Sequence, residues 1–159
     1  MIEPDEKFME LAIEQAKKAA KNGDYAIGAV VVKGDEIVSV GFGKVKTKKD
    51  PILHAEIVAI SKAAKKLKKR HLENCILYTT HEPCPMCAAA IVWAKISGTV
   101  YGARNEDMEE YSKNKGDHKF TWRTIAVPSK IIFENGEPKV HVIGDFMREE
   151  CKKLFSLSK

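Results

Sequence analysis

Residues 75–102, CILYTTHEPCPMCAAAIVWAKISGTVYG, constrain the fold more than any other part of the chain. CILYTT is a short run rich in β-forming residues, and GTVYG is another. Between them, Pro83 suits the first turn of a helix that CPMCAAAIVWAK carries to Gly98. A strand, a helix and a strand at this spacing predict a parallel crossover unit, with the helix packed across the face of the sheet that its two strands share.

The flanking segments supply partners for that unit. Pro4 and Asp5 open an amphipathic stretch in which Phe8, Leu11, Ala12, Ala16, Ala19 and Ala20 recur at helical spacing, and Asn22-Gly23 stops it. Two β-rich runs follow, 26–32 and 36–42, joined by a Lys33-Gly34-Asp35 turn. Pro51 is expected in the first turn of a second helix, with Leu53, Ile57, Ile60, Ala64 and Leu67 on its apolar face. Residues 103–124 are polar and aperiodic, and read as a long loop of the kind that is usually functional. SKIIFENG reads as a short helix capped by Ser129, KVHVIG as a strand, and DFMREECKKLF as a last helix capped by Asp145. The whole is an α/β fold, a mixed sheet sandwiched between helices.

A chain of 159 residues with 44% hydrophobic content is the size of one domain, 1–159, with one core. No apolar run reaches the roughly 18–20 residues that cross a bilayer, and the opening MIEPDEKF is acidic where a secretory signal is basic, so a cytoplasmic protein with no membrane partner is expected. In that compartment Cys75, Cys84, Cys87 and Cys151 point to metal binding or catalysis before a disulfide framework. The formal charge of +5 is concentrated in the lysine runs 44–49 and 65–70, which suit solvated loops and helix ends or a nucleic-acid patch.

Cys84 and Cys87 form a C-x-x-C pair, which by itself fits a redox dithiol, two zinc ligands or chance. A proline precedes Cys84 and another follows it, so the pair stands at a helix start, where unsatisfied N–H groups favour thiolate, the form that binds metal. Two thiolates leave a tetrahedral site incomplete, and a third protein ligand with an open fourth position would mark catalysis. Among five histidines, His54 stands out because Glu56 lies two positions on, in HAE near a helix start. Cys75 and Cys151 read as buried apolar thiols, and His71 as facing solvent.

Together, HAE and PCPMC match the H-x-E and P-C-x-x-C signature of zinc-dependent nucleobase deaminases. The chain resembles the cytidine and deoxycytidylate deaminase superfamily, and is most similar to the branch of guanine deaminase, cytosine deaminase and the tRNA adenosine deaminases. The likeness runs through AIGAVVV, DPILHAEIVAI, LYTTHEPCPMCAAAI and VYGAR. It implies a five-stranded mixed sheet in a three-layer α/β/α sandwich. It also implies one Zn2+ per chain on His54, Cys84 and Cys87, with Glu56 as the proton shuttle. The expected reaction replaces the amino group of a base, nucleoside or related heterocycle by an oxo group and releases ammonia. A homodimer is expected, because subunits of this family commonly pair.

The resemblance carries less about the substrate. Relatives usually hold an asparagine eleven positions before the zinc histidine, where this chain has Gly43. Neither the glycine-rich loop of the tRNA deaminases nor the Phe-Asp-Asp segment of the guanine deaminases follows Arg104. The positions implied to line the substrate are Gly43, Ala55, His81 and Pro83, with Asp117, His118 and Trp122 in the long loop. Deamination of a small base or nucleoside is the first reading. A tRNA adenosine-to-inosine deaminase is the alternative, and a non-catalytic zinc-binding domain is the third possibility.

Overall fold

The computed structural model describes residues 2–115 and 125–158. Its strands are β1 (Gly28–Lys33), β2 (Glu36–Phe42), β3 (Cys75–His81), β4 (Gly98–Ala103) and β5 (His141–Ile143). They form one sheet in the order β2-β1-β3-β4-β5. β1 runs antiparallel to β2 and β3, whereas β3, β4 and β5 are mutually parallel, so the sheet is mixed. The parallel β3–β4 pair is the crossover unit expected from the sequence. The β1–β2 hairpin turns at Gly34, whose φ of 61° favours glycine.

Both faces of the sheet are covered, which is why β1 is apolar along nearly its whole length. Alternation sends Val30 and Val32 to one face and Ala29 and Val31 to the other. Helix α1 (Glu6–Lys21), capped by the Asp5 carboxylate on the Lys7 amide, packs Phe8, Met9 and Ala12 on Val30, Val32, Tyr78 and Val100. Gly28 permits the approach, since a Cβ there would overlap the Ala12 carbonyl oxygen. On the opposite face lie α2 (Ala55–Leu67), α3 (Pro85–Trp93) and α5 (Ser129–Asn135). They contribute Ala55, Ala59, Ala63, Ala88, Ile91 and Phe133 to a core shared with Ala29, Val31 and Leu77. The result is a three-layer α/β/α sandwich.

Several boundaries differ from the sequence expectation, each for a local reason. α2 starts at Ala55, not near Pro51, because the Asp50 carboxylate takes the Ile52 amide in a tight turn and the Lys44 amide holds the Leu53 carbonyl. Its most buried stripe is Ala55, Val58, Ala59 and Ala63, with Ile57, Ile60, Ala64 and Leu67 only partly covered. α3 starts at Pro85 instead of Pro83, with Cys84 as its cap, and ends at Trp93, short of Gly98. α5 is preceded by Pro128 as cap, while Ser129 is its first residue.

The largest departure is α4 (Asn105–Lys115), a helix inside the segment expected to be a loop. The Asp107 carboxylate accepts the Arg104 amide at 2.8 Å and a two-point bond from Arg148 at 2.7 and 3.0 Å, while Met108 and Ser112 are buried beneath it. Burial pushes the Asp107 carboxyl up, but the Arg148 hydrogen bond and the Arg104 amide together hold it below its ordinary value. The last helix, α6 (Arg148–Lys152), continues as a 3-10 turn over Lys153–Leu157 and is preceded by Met147, not capped by Asp145. Asp145 instead bonds the Arg104 guanidinium, with Nε to Oδ1 at 2.6 Å. Asp117, His118 and Trp122 lie outside the described residues.

Candidate metal centre

The site is assembled from two helix starts on the same face of the sheet. His54 is the cap of α2, with extended backbone (φ −66°, ψ 155°), and Cys84 is the cap of α3 (φ −67°, ψ 169°). Residues two apart inside a helix project to different faces, but a cap residue stands outside the helical spiral, so His54 turns out of the helix while Glu56 lies within its first turn. Cys87 sits in the first turn of α3, and its backbone N–H donates to Cys84 Sγ at 3.4 Å.

His54 Nδ1 lies 3.5 Å from Cys84 Sγ and 3.5 Å from Cys87 Sγ. All three donor atoms fall within 4.8 Å of one another, and theirs is the one grouping of metal-ligating side chains identified among the described residues. Zinc bonds of about 2.3 Å to sulfur and 2.0–2.1 Å to nitrogen at a tetrahedral angle separate S and N by roughly 3.5 Å. The spacing and the two-thiol, one-imidazole donor set therefore fit zinc.

Glu56 is 3% exposed. Its Oε1 accepts the Thr79 hydroxyl at 3.1 Å, and its Oε2 takes a hydrogen bond from the Cys87 thiol at 3.5 Å. Hydrogen bonding from Cys87 leads in bringing the Cys84 thiol down to about 4, with help from His54 and against the effect of burial. The same bond to Cys84, burial and the Glu56 charge push Cys87 well up.

The other expected positions fall around this centre in different ways. Ala55 and Pro83 are buried immediately beside ligands. Gly43 ends the β2 edge with its amide on the Ile27 carbonyl, and a Cβ there would meet the Tyr25 carbonyl at 3.5 Å and Asp24 Oδ1 at 3.9 Å, so a side chain has room. His81 is buried, bonds the Glu82 carbonyl through Nδ1, and packs its ring 5.9 Å from Phe155, a residue of the α1 and α6 layer. Cys75 and Cys151 are buried thiols, with Cys151 raised to about 12 chiefly by burial. His71 is half-buried and His141 exposed.

Three polar residues of this region have partners that the sequence does not name. Thr79 sits inside an apolar strand and carries no motif. Glu82 looks like part of the cysteine motif, yet its carboxylate accepts the Asn105 amide and side chain and the Ser129 amide and hydroxyl, at 3.1–3.3 Å. Asp24, buried after α1, accepts the amides of Tyr25, Lys46 and Thr47 and the Thr47 hydroxyl, which fixes the lysine-rich loop that leads to His54.

An α/β/α sandwich that brings a His-Cys-Cys donor set to two helix starts, with a buried glutamate in the first turn of one, defines a class of zinc-binding folds. The sequence matches the model of the cytidine and deoxycytidylate deaminase zinc-binding region over residues 2–103, and the chain belongs to that family. It is 41% identical over 98 residues to the tRNA-specific adenosine deaminase of Aquifex aeolicus, a match that spans 62% of this chain and 65% of that one. It is 39% identical over 126 residues to the guanine deaminase of Bacillus subtilis, covering 79% of each. The solved guanine deaminase of Nitrosomonas europaea superposes with a TM-score of 0.78 over 98% of this chain and 85% of that one; at 22% identity it bears on the fold alone.

Proposed function

We propose that this protein is a zinc-dependent hydrolytic deaminase of an amino-bearing nucleobase or nucleoside, built as one domain around one site. The observation that carries the reading is the placement of the buried Glu56 against the His54-Cys84-Cys87 cluster. A structural zinc site takes four protein ligands and has no use for a buried acid, so the arrangement favours catalysis over a purely structural centre. Free thiols at all four cysteines suit a reducing, cytoplasmic setting.

Zinc on His54, Cys84 and Cys87 would supply a Lewis acid that brings a water in its remaining position to a pKa of roughly 7. Glu56 would take one proton from the attacking water and pass it to a ring nitrogen of the base, then take the second from the hydroxyl so added and give it to the departing amine. The water oxygen becomes the oxo group, and one ammonia leaves for each water consumed. Gly43, Ala55 and Pro83 are the proposed substrate contacts, the last two because they adjoin His54 and Cys84 in the chain. His81, Asp117, His118 and Trp122 complete the proposed set.

A second reading, deamination of adenosine in tRNA, is favoured by the Aquifex relative and by Lys44, Lys46, Lys48 and Lys49, which stand on the loop joined to Leu53 beside His54. Ammonia release from guanine, cytosine, adenine, their nucleosides and a tRNA anticodon stem separates the two. Turnover of a free base with little salt dependence is the expected result, alongside one zinc per chain by elemental analysis. Turnover confined to RNA and falling steeply with salt would promote the second reading, and no ammonia from any member would remove the first.

A second copy of this chain is the proposed partner. Support comes from a groove between α3 and α5, where Trp93 is 82% and Ile131 48% exposed beside Val92 and Ile132. Light scattering on the purified protein is expected to give twice the chain mass; a monomer at micromolar concentration would refute the pairing.

A further inference from the structure

We infer that Thr79 is a positioning residue for Glu56. Its hydroxyl anchors one carboxylate oxygen so that the other is presented to the metal-binding atoms. The inference rests on the deaminase reading above and adds to it a residue outside the metal and proton-shuttle set.

Thr79 lies on β3, the central strand, paired with Ala29 of β1 on one side and Tyr101 of β4 on the other, and it is fully buried. A β-branched side chain on such a strand has little rotamer freedom, so its hydroxyl is a fixed point in the fold. Glu56 is the opposite case: three rotatable bonds separate its carboxylate from the helix. Left without donors, a buried carboxylate of this kind would be costly and would swing among rotamers. The Thr79 hydroxyl meets Oε1 at 3.1 Å. Oε2 is thereby turned toward Cys87 Sγ, 3.5 Å away.

The hydroxyl has two acceptors in reach, Glu56 Oε1 at 3.1 Å and the His81 carbonyl at 3.2 Å, but only one proton to give. The shorter contact, to Glu56, runs from the sheet to α2, the helix that His54 caps. Through that bond the rigid centre of the sheet sets the direction in which the flexible acid points.

Thr79→Val preserves the buried shape and removes the hydroxyl, whereas Thr79→Ser keeps it. With the substrate found in the ammonia assay, Thr79→Val is expected to lower kcat by about tenfold to a hundredfold, the scale of a misplacement near 1 Å. KM and the zinc content should stay as in the wild type, and Thr79→Ser should recover most of kcat. Crystal structures of the metal-loaded proteins give a readout without turnover: the Glu56 carboxylate should rotate in Thr79→Val and hold its place in Thr79→Ser. If the valine variant fails to fold, Thr79→Ala takes its part in the same comparison. Unchanged kcat in the variant lacking the hydroxyl, a serine variant as slow as it, or a carboxylate that does not move would each overturn the inference. Should the wild type release no ammonia at all, the deaminase reading falls, while the two carboxylate positions still decide whether Thr79 orients Glu56.

Discussion

Glu56→Gln is expected to lower kcat by about 10²–10⁴-fold, the usual contribution of a positioned general acid and base, while the protein stays folded and keeps its zinc. Glutamine matches glutamate in shape, and its amide oxygen still accepts the Thr79 hydroxyl, so packing against β3 is retained. The loss is specific to chemistry: the amide cannot take the proton of water or return it to the leaving amine. None of the donor atoms of the metal cluster belongs to Glu56. Steady-state kinetics beside metal analysis will test both halves, and a variant turning over within a few fold of the wild type would sink the assigned shuttle.

A loss of stability is expected at Glu82. Its carboxylate gathers four donors, two from Asn105 at the start of α4 and two from Ser129 at the start of α5, and it is 8% exposed. Alanine leaves all four without their acceptor, and water entering the gap restores only part of the bonding. Each orphaned buried donor costs about 1–3 kcal/mol, so a net loss near 3 kcal/mol is expected for Glu82→Ala. For a chain of this size that is a fall of roughly 6–12 °C in Tm. Glu82→Gln should recover little, because it offers one acceptor oxygen and turns an NH2 group toward groups that are themselves donors. Urea unfolding of both variants checks the effect; an alanine variant as stable as the wild type would show that these bonds contribute nothing net.

The metal centre was far more legible in the chain than its surroundings. His54, Cys84 and Cys87 converge as HAE and PCPMC imply, because both motifs sit where a helix begins and the order of hydrophobic segments already placed those helices on a common sheet. Thr79 was invisible for a physical reason: a threonine in a strand is ordinary, and its meaning lies in a bond to a residue twenty-three positions away. α4 was missed because NEDMEEYSKNK lacks a clean apolar stripe. Its helix is held by the Arg148 contact to Asp107, forty-one positions away, and by the burial of Met108 and Ser112, a pair one turn apart of which only one is apolar. The start of α2 was misplaced because Pro51 suits a helical first turn as well as the Asp50 turn it actually occupies.

His54 and Cys84 are also the residues at which α2 and α3 begin, each giving its carbonyl to the first full turn, to the Val58 and Ala88 amides respectively. In most helices that position belongs to a serine, threonine, aspartate or asparagine chosen for local capping. Here the grammar of helix punctuation and the choice of metal donors are written in the same two letters. A substitution at either position is therefore expected to act on both: one that keeps a good helix start discards a proposed ligand, and one that offers a ligand of different reach strains the first turn.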